Sequence, residues 1–312
     1  MLKYIARRIL ILVPMMLAII FIIFSIMELT PGDPARLILG TNATQEAVDS
    51  LTKEMGFDRP FIVRYADYVL NAFKGDLGNS WRTGRPVFQE VLGRFPTTVK
   101  LASFSIIIAL FIGLPLGVLS AIKQYSIFDA AGTTIAMILA SVPSFWLGMM
   151  GILLFSLKLG WLPSHGYDTW VHYLMPAITL ACPEIAVLLR LTRTTMLETI
   201  RQDYIRTARA KGQKEKVVIF DHALQNALLP VVTITGTDFA GLLGGVVTIE
   251  TVFSINGVGL LILNAIQMKD VPVVTGCAIF LSFSVIILML FVDIIYAFID
   301  PRVKALYMRA NN

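Results

Sequence analysis

The chain has 312 residues, of which 56% are hydrophobic and 15% charged, and its mean hydropathy of +0.74 excludes an ordinary soluble globular protein. The net charge of +5 does not indicate nucleic-acid binding, because the lysines and arginines lie at the ends of apolar runs and form no single basic domain. Cys182 and Cys277 both lie inside such runs, which excludes a disulfide framework and a paired-cysteine metal site.

Six apolar runs are long enough to cross a membrane, since a bilayer core of about 30 Å needs roughly 20 apolar residues per helical span. They cover residues 9–29, 99–122, 130–157, 173–191, 229–253 and 273–299. The first run follows three basic residues, as in a secretory signal peptide, but it is longer and lacks a small-residue cleavage pattern. We therefore expect an all-α polytopic membrane protein with six transmembrane helices, in which residues 1–29 are an N-terminal stub and a retained first helix.

The loop of residues 30–98 is long enough to form a separate subdomain. It opens with Thr30-Pro31-Gly32-Asp33-Pro34, which is typical of a membrane exit followed by a turn. Its aromatic and apolar residues then recur at spacings near three and four, which predicts amphipathic helices. Gly75-Asp76-Leu77-Gly78 predicts a turn, and residues 86–94 predict a short helix leading into the second span.

The basic residues predict the orientation of the spans. Lysines and arginines are concentrated in the N-terminal stub, in the connection between the fourth and fifth spans, and in the tail of residues 300–312, whereas the short loops on the opposite side contain only Lys158 and Lys269. Since basic loops stay in the cytoplasm, both termini are predicted to be cytoplasmic and the loop of residues 30–98 extracytoplasmic.

Within the core of residues 99–299, the stretch of residues 193–228 is too polar to cross a membrane. Residues 198–211 are rich in strong helix formers and end at Gly212, whose access to positive φ suits a helix C-terminus. Residues 216–228 predict a second helix that stops where Pro230 opens the fifth span. The sequence thus predicts two short cytoplasmic helices.

Sequence patterns typical of catalysis are missing from the chain. It has no G-x-x-x-x-G-K-[ST] phosphate loop, no H-E-x-x-H helix and no G-x-S-x-G elbow, and its three histidines are far apart in the sequence. We therefore expect no catalytic residue, no metal site and no ATP hydrolysis by this chain.

The segment Asp203-Tyr204-Ile205-Arg206-Thr207-Ala208-Arg209-Ala210-Lys211-Gly212, followed by His222-Ala223-Leu224-Gln225-Asn226-Ala227-Leu228-Leu229-Pro230, resembles the cytoplasmic coupling motif of ABC import permeases. The wider resemblance is to the B-type permease of the peptide/nickel family, whose members import dipeptides, oligopeptides, glutathione or nickel. Pro31 to Pro34, residues 75–78, 250–259 and 292–302 agree with it. The chain departs from the family pattern at Asp203, at Asp300 and at Ile255-Asn256, where glutamate, asparagine and Trp-Pro are common.

The resemblance implies a type I permease fold in a bacterial cytoplasmic membrane. It implies a heterodimer with a homologous permease, one or two cytoplasmic ATPases that bind ATP and Mg, and an extracytoplasmic binding protein that delivers substrate. No cofactor is expected in this chain. The residues that the resemblance assigns to contact with the ATPases are Asp203, Tyr204, Arg206, Thr207, Ala208, Arg209, Ala210, Lys211, Gly212, His222 and Asn226.

Ionisable groups inside spans are costly and point to functional sites by default. Asp238 lies mid-span among glycines, and we expect it to line the translocation pathway together with Gly241, Gly245 and Glu250; the alternative for Asp238 is a carboxyl group hydrogen-bonded at a helix interface. Glu250 is expected either to contact the delivery protein or to pair across the heterodimer. Glu184 and Asp293 are expected to be structural.

The function that the resemblance implies is ATP-driven import of peptides. Import of nickel or glutathione by the same mechanism stays an alternative, because selectivity in this design resides mainly in the binding protein. An ATP-independent channel or secondary transporter would leave the coupling-like segment unexplained, and an intramembrane enzyme would need convergent catalytic groups at one depth.

Overall fold

The computed structural model describes residues 2–29, 34–40 and 42–299, and every regular element in that part is helical. The prediction of an all-α protein is therefore confirmed. The N-terminal elements are α1 (Leu2–Leu29), α2 (Pro34–Leu39), α3 (Gln45–Glu54) and α4 (Phe61–Phe73). The helices that follow are α5 (Val87–Ile122), α6 (Ile127–Ser141), α7 (Ser144–Gly151), α8 (Trp170–Ile200), α9 (Asp203–Ala210), α10 (Glu215–Val217), α11 (Gln225–Gly245), α12 (Val247–Val252), α13 (Val258–Gln267) and α14 (Val271–Ile299). A π-helical segment, Ile152–Lys158, continues α7, and another, Val218–Leu224, joins α10 to α11.

The described residues of Met1–Pro96 and Gly257–Ile286 form a first compact unit. Helix α4 packs on α1, where the Tyr65 hydroxyl donates to the Leu17 carbonyl oxygen at 3.0 Å. Phe21, Phe24 and Phe61 surround the same contact with edge and tilted ring arrangements. Aromatic rings at helical spacing thus close the amphipathic face of α4, as the spacing of the loop residues predicts.

A buried carboxylate fixes the loop before α5 in the first unit. Asp270, only 3% exposed, accepts a hydrogen bond from Ser80 Oγ at 2.5 Å and from the backbone N–H groups of Trp81 and Arg82 at 3.1 and 3.3 Å. Just before this loop, Gly75 and Gly78 both have positive φ, which matches the turn predicted for residues 75–78. These hydrogen bonds join two segments of the first unit that are far apart in the sequence, and they give both carboxylate oxygens of Asp270 a donor.

The described residues of Thr97–Asn256 and Ile287–Asn312 form a second compact unit, with α8 at its centre. Helix α8 packs against α6, α7 and α11, and α5 approaches it closely through small residues. A Cβ added at Gly117 would lie 2.6 Å from Thr192 Cβ, and one at Gly113 would lie 3.0 Å from the Ile185 carbonyl oxygen. Small residues at such positions let the backbones of membrane helices approach.

Four helices are long and apolar enough to cross a membrane: Val87–Ile122, Trp170–Ile200, Glu215–Gly244 and Val271–Val292. A fifth candidate is the pair Ile127–Ser141 and Ser144–Lys158, which is bent by 95°. The bend lies at Pro143, which has no N–H to donate and holds Val142 in an extended conformation with ψ of 129°. The predicted run of residues 130–157 is thus broken in the structure. The apolar part of the first predicted span, Val13–Ile26, is shorter than the four candidate helices, so the count of six spans stays a prediction.

Several predicted boundaries differ from the structure. The short helix predicted for residues 86–94 is the start of α5, and the helix predicted to begin at Glu198 is the end of α8, which runs to Ile200. Pro230 does not end a helix: it lies inside α11, because a membrane helix tolerates the one backbone hydrogen bond that proline removes. The fifth predicted span ends at Gly245, before the separate helix α12.

Candidate functional site

The short helix α9 carries most of the residues assigned to coupling. It begins at Asp203, directly after the turn that ends α8, and stops before Gly212, whose φ of +79° confirms the predicted left-handed C-terminal position. A Cβ added at Gly212 would meet no atom within 4 Å, so a side chain would fit there. Glycine is favoured because of its left-handed backbone conformation.

One face of α9 is anchored in the second unit. Ile205 is fully buried and Ala208 is 9% exposed. Both belong to an apolar cluster with Met196 at the end of α8 and with residues of α5 and of the Val218–Leu224 segment. Ala208, which the family resemblance assigns to contact with the ATPases, therefore packs mainly inside its own chain.

The opposite face of α9 is exposed. Its side chains extend away from the apolar cluster, and even the charged pair of Asp203 and Arg206, 3.9 Å apart, leaves these side chains 99% and 77% exposed. The exposed residues among those predicted to couple are Asp203, Tyr204, Arg206, Thr207, Arg209, Ala210, Lys211 and Gly212. Helix α9 is thus anchored on one side by its own chain and exposed on the other.

Two polar contacts hold the turn that follows α9. Arg209 donates to both carboxylate oxygens of Glu215, at 2.7 and 3.2 Å, and this hydrogen bonding raises the pKa of the guanidinium. Gln213 Oε1 lies 2.7 Å from His222 Nε2, and Asn226 donates to the His222 carbonyl oxygen at 2.8 Å. The predicted coupling residues His222 and Asn226 thus belong to the helix that continues into the membrane and stay next to the turn.

An ion pair between a partly exposed arginine and a buried carboxylate lies beside this region. Arg193 of α8 donates to both oxygens of Asp129 at the start of α6, through Nε at 2.6 Å and Nη2 at 2.8 Å. Ser120 Oγ and the Tyr125 backbone N–H also donate to this carboxylate. The sequence reasoning missed Asp129; its signal was an isolated acid three residues after Ser126, a position at which serine caps a helix.

Two carboxyl groups predicted to differ in role are neighbours in the membrane. Glu184 of α8 and Asp238 of α11 interact directly. Asp238 Oδ2 is buried, and in the described part of the chain it has no hydrogen-bond partner. A charged or polar oxygen without a donor is costly in this environment, and Thr192 Oγ1 is a second such atom among the described residues of this unit.

The glycines near Asp238 fall into two groups. A Cβ added at Gly236 would clash with Val292 of α14, so this glycine permits close helix packing. At Gly241 and Gly244 an added Cβ would meet no atom within 4 Å, which leaves that side of α11 open. Gly245 ends α11, but its surroundings, like the side chain of Asp293, lie outside the described residues.

Glu250 is fully buried in the second unit. Its Oε1 accepts a hydrogen bond from Thr98 Oγ1 of α5 at 2.6 Å. The carboxyl group is therefore enclosed by its own chain, and its predicted contact with a delivery protein or across a heterodimer stays a prediction.

Comparison with known proteins gives matches along nearly the whole chain. The family described as binding-protein-dependent transport system inner membrane component matches residues 113–305, and the corresponding N-terminal family matches residues 1–102. The dipeptide transport system permease protein DppB of Alkalihalophilus pseudofirmus is 39% identical over 97% of this chain and 100% of its own length. The glutathione transport system permease protein GsiC of Pectobacterium atrosepticum is 39% identical over 97% of this chain and 99% of its own length.

A solved structure shares the fold. An inward-facing crystal structure of the MetNI methionine ABC transporter matches with a TM-score of 0.57 and 18% identity, covering 68% of this chain and 97% of that chain. At this identity the match concerns the fold of the helices alone.

Proposed function

This chain belongs to the family of binding-protein-dependent transport system inner membrane components, and we propose that it is the permease subunit that moves peptides through an ATP-driven importer. The observation that carries the proposal is α9, a short helix whose buried face, with Ile205 and Ala208, is anchored in the chain while its polar face stays exposed. We assign to this helix the transmission of movement between the ATPase and the permease.

The exposed face of α9 is the surface that we assign to a cytoplasmic ATPase. Arg206, Thr207 and Ala210 supply charge, a hydroxyl group and a small contact on that face. His222 contacts Gln213 in the turn after α9, and Asn226 of α11 donates to the His222 carbonyl oxygen. We assign to these contacts the transmission of movement from α9 to the helix that carries Asp238.

The remaining partners follow from the family. One or two ATPases bind ATP and Mg, a homologous permease completes a heterodimer, and an extracytoplasmic binding protein supplies the substrate. The chain lies in a bacterial cytoplasmic membrane as a multi-pass protein with both termini in the cytoplasm. ATP shifts the pair between two arrangements only through its different affinity for each, and no catalytic step falls to this chain.

The translocation pathway is assigned to the side of α11 that carries Asp238, Gly241, Gly245 and, at α12, Glu250. The open space beside Gly241 supports this assignment. Peptides are the proposed substrate because the relatives at 39% identity are named as dipeptide and glutathione permeases. Glutathione or nickel import by the same mechanism is the alternative.

The test is uptake into proteoliposomes that contain this chain with its partner permease, ATPases and binding protein, supplied with labelled dipeptides, glutathione and nickel in parallel. We expect ATP-dependent peptide uptake that requires every subunit. Nickel or glutathione uptake alone would replace the substrate and keep the mechanism, and uptake without ATP would contradict the importer assignment.

A variant of α9 tests coupling directly. Ala210→Leu enlarges an exposed residue of α9 and should disturb docking of the ATPase. We expect normal assembly, persisting ATP hydrolysis and uptake reduced by about tenfold, which corresponds to about 1.4 kcal/mol. Ala66→Leu, at an exposed position of α4, is the matched control and should transport normally. Equal uptake by the two variants would remove α9 from the coupling surface.

A further inference from the structure

The first unit contains a cavity of about 410 Å³ between α4, the end of α1, the loop before α5 and the start of α14. This volume falls within the range of about 300–1,000 Å³ in which small-molecule sites occur. Three aromatic side chains, Phe24, Phe57 and Trp81, form much of its wall. Phe57 and Trp81 meet edge to face, with ring centroids 5.7 Å apart. The wall is therefore rigid and largely apolar.

Two residues that line this cavity each carry a buried polar atom that has no partner in the described part of the chain. Arg64 Nε and the Tyr68 hydroxyl oxygen are both buried, and neither has a hydrogen-bond partner among the described residues. By contrast, the hydroxyl group of Tyr65, on the same helix, is satisfied by the Leu17 carbonyl oxygen. Because leaving one buried donor unsatisfied costs about 1–3 kcal/mol, two in one cavity indicate a missing acceptor.

The chemistry of these two atoms defines what is missing. The guanidinium N–H only donates, and burial raises the pKa of the Tyr68 hydroxyl so that it stays protonated and also donates. These two donors belong to residues four apart on α4, and a pair of donors of which one is cationic suits one carboxylate.

The other charged residues at the cavity indicate which group the ligand carries besides its carboxylate. Arg64 Nη2 is paired with Glu28, and Arg59 Nη1 lies 3.4 Å from Asp67 at the rim, so the four charged side chains sum to zero. A neutral lining disfavours a doubly charged phosphate and favours a zwitterion, whose ammonium group can approach Glu28 or Asp67.

We propose that this cavity binds the free C-terminal carboxylate of a short peptide, whose oxygens accept hydrogen bonds from Arg64 Nε and the Tyr68 hydroxyl. An apolar side chain of the peptide lies against Phe57 and Trp81. The residues that line the cavity include none of the assigned pathway residues of α11 and α12. It rests on the proposed function in one respect, since peptide import supplies the reason for a peptide to reach this part of the chain.

The experiment measures equilibrium binding of labelled Ala-Phe to the purified importer in nanodiscs, without binding protein and without ATP. The same dipeptide with an amidated C-terminus is the comparison ligand. We expect saturable binding of the free acid and about tenfold weaker binding of the amide, because one charge-assisted hydrogen-bond pair is lost. Equal affinity for both, or no saturable binding of the free acid, overturns the proposal.

Two tyrosine variants on α4 provide the matched test. Tyr68→Phe should weaken binding of the free acid about tenfold and reduce the discrimination against the amide, since only the hydroxyl donor is removed. Tyr65→Phe removes a hydroxyl that faces away to Leu17 and should bind like the wild type. Wild-type binding by Tyr68→Phe contradicts the assignment.

Two further experiments test whether a lipid headgroup occupies the cavity instead, and whether this proposal and the proposed function fail separately. Phosphatidylglycerol in the nanodiscs should not displace Ala-Phe; displacement would assign the cavity to a lipid headgroup. Binding in the absence of uptake would defeat the proposed function and leave this site standing, whereas normal peptide uptake by an importer that shows no such binding defeats the site alone.

Discussion

Two carboxyl groups contact α8 in the second unit, and they differ in the hydrogen-bond donors that surround them. Asp129 receives both arms of Arg193, the Ser120 hydroxyl and the Tyr125 N–H. Asp238 faces another acid, Glu184, and its Oδ2 is buried without a donor in the described part of the chain.

We propose that the difference separates structural charge from functional charge. A carboxylate with a complete set of donors repays its desolvation and holds helices in one arrangement. A carboxylate that neighbours a second acid costs stability, and a chain keeps it for a reason other than folding. We therefore interpret Asp129 as the fixed point between α6 and α8, and Asp238 as the group that meets substrate or solvent during transport.

The largest expected effect comes from breaking the satisfied pair. Arg193→Ala leaves Asp129 buried with its main partner removed, and we expect a loss of about 3 kcal/mol in the free energy of unfolding. Thermal unfolding in detergent measures it. Arg206→Ala, which removes an exposed arginine 3.9 Å from Asp203, is the control and should change stability by less than about 0.5 kcal/mol.

The double variant Asp129→Ala with Arg193→Ala sharpens this test. Removing both charges should recover part of the lost stability, because no unpaired buried charge remains. A double variant that is less stable than either single variant would contradict the view of the pair as one unit.

A change at the unsatisfied site should reduce transport and not stability. Asp238→Asn keeps the size of the side chain and removes its charge, so we expect thermal stability equal to or above that of the wild type and uptake reduced by about tenfold. Peptide-stimulated ATP hydrolysis is the second measurement. Asp58→Asn, at an exposed position of the first unit, should transport normally. A destabilised Asp238→Asn protein would place Asp238 with the structural charges.

The smallest effect is expected at Glu250, which is fully buried but has a donor. Thr98→Val removes that donor and should cost about 1 kcal/mol in thermal stability. Ser105→Ala, on the same helix α5, loses only a hydrogen bond to the Leu101 carbonyl oxygen and serves as the control. Equal stability of the two variants would mean that Glu250 does not depend on Thr98.

Much of the helical fold could be predicted from the sequence, because runs of apolar residues and the turn at residues 75–78 are local signals. The left-handed conformation of Gly212 is local as well. The break at Pro143 was missed because the apolar run continues through it, and a hydropathy pattern does not record a change in backbone direction.

The candidate site was harder to predict where partners are distant in sequence. Arg193 and Asp129 are 64 residues apart, and neither has a neighbour that identifies the other. Ala208 is an alanine like Ala210 on the exposed face, and its sequence neighbourhood does not distinguish the two. It is buried because it packs in the apolar cluster with residues of α5 and α8. The unpartnered atoms of Arg64 and Tyr68 follow from the packing of α4 on α1 and have no local sequence signal.

The hydrogen bonds of Asp270 have a consequence for recognition. They fix the backbone at Trp81 and Arg82 before any ligand arrives, so the aromatic wall next to Phe57 is preorganised. A molecule that enters the neighbouring cavity then spends little of its binding energy on ordering the loop, and discrimination between similar molecules depends on their fit to a wall that does not adapt.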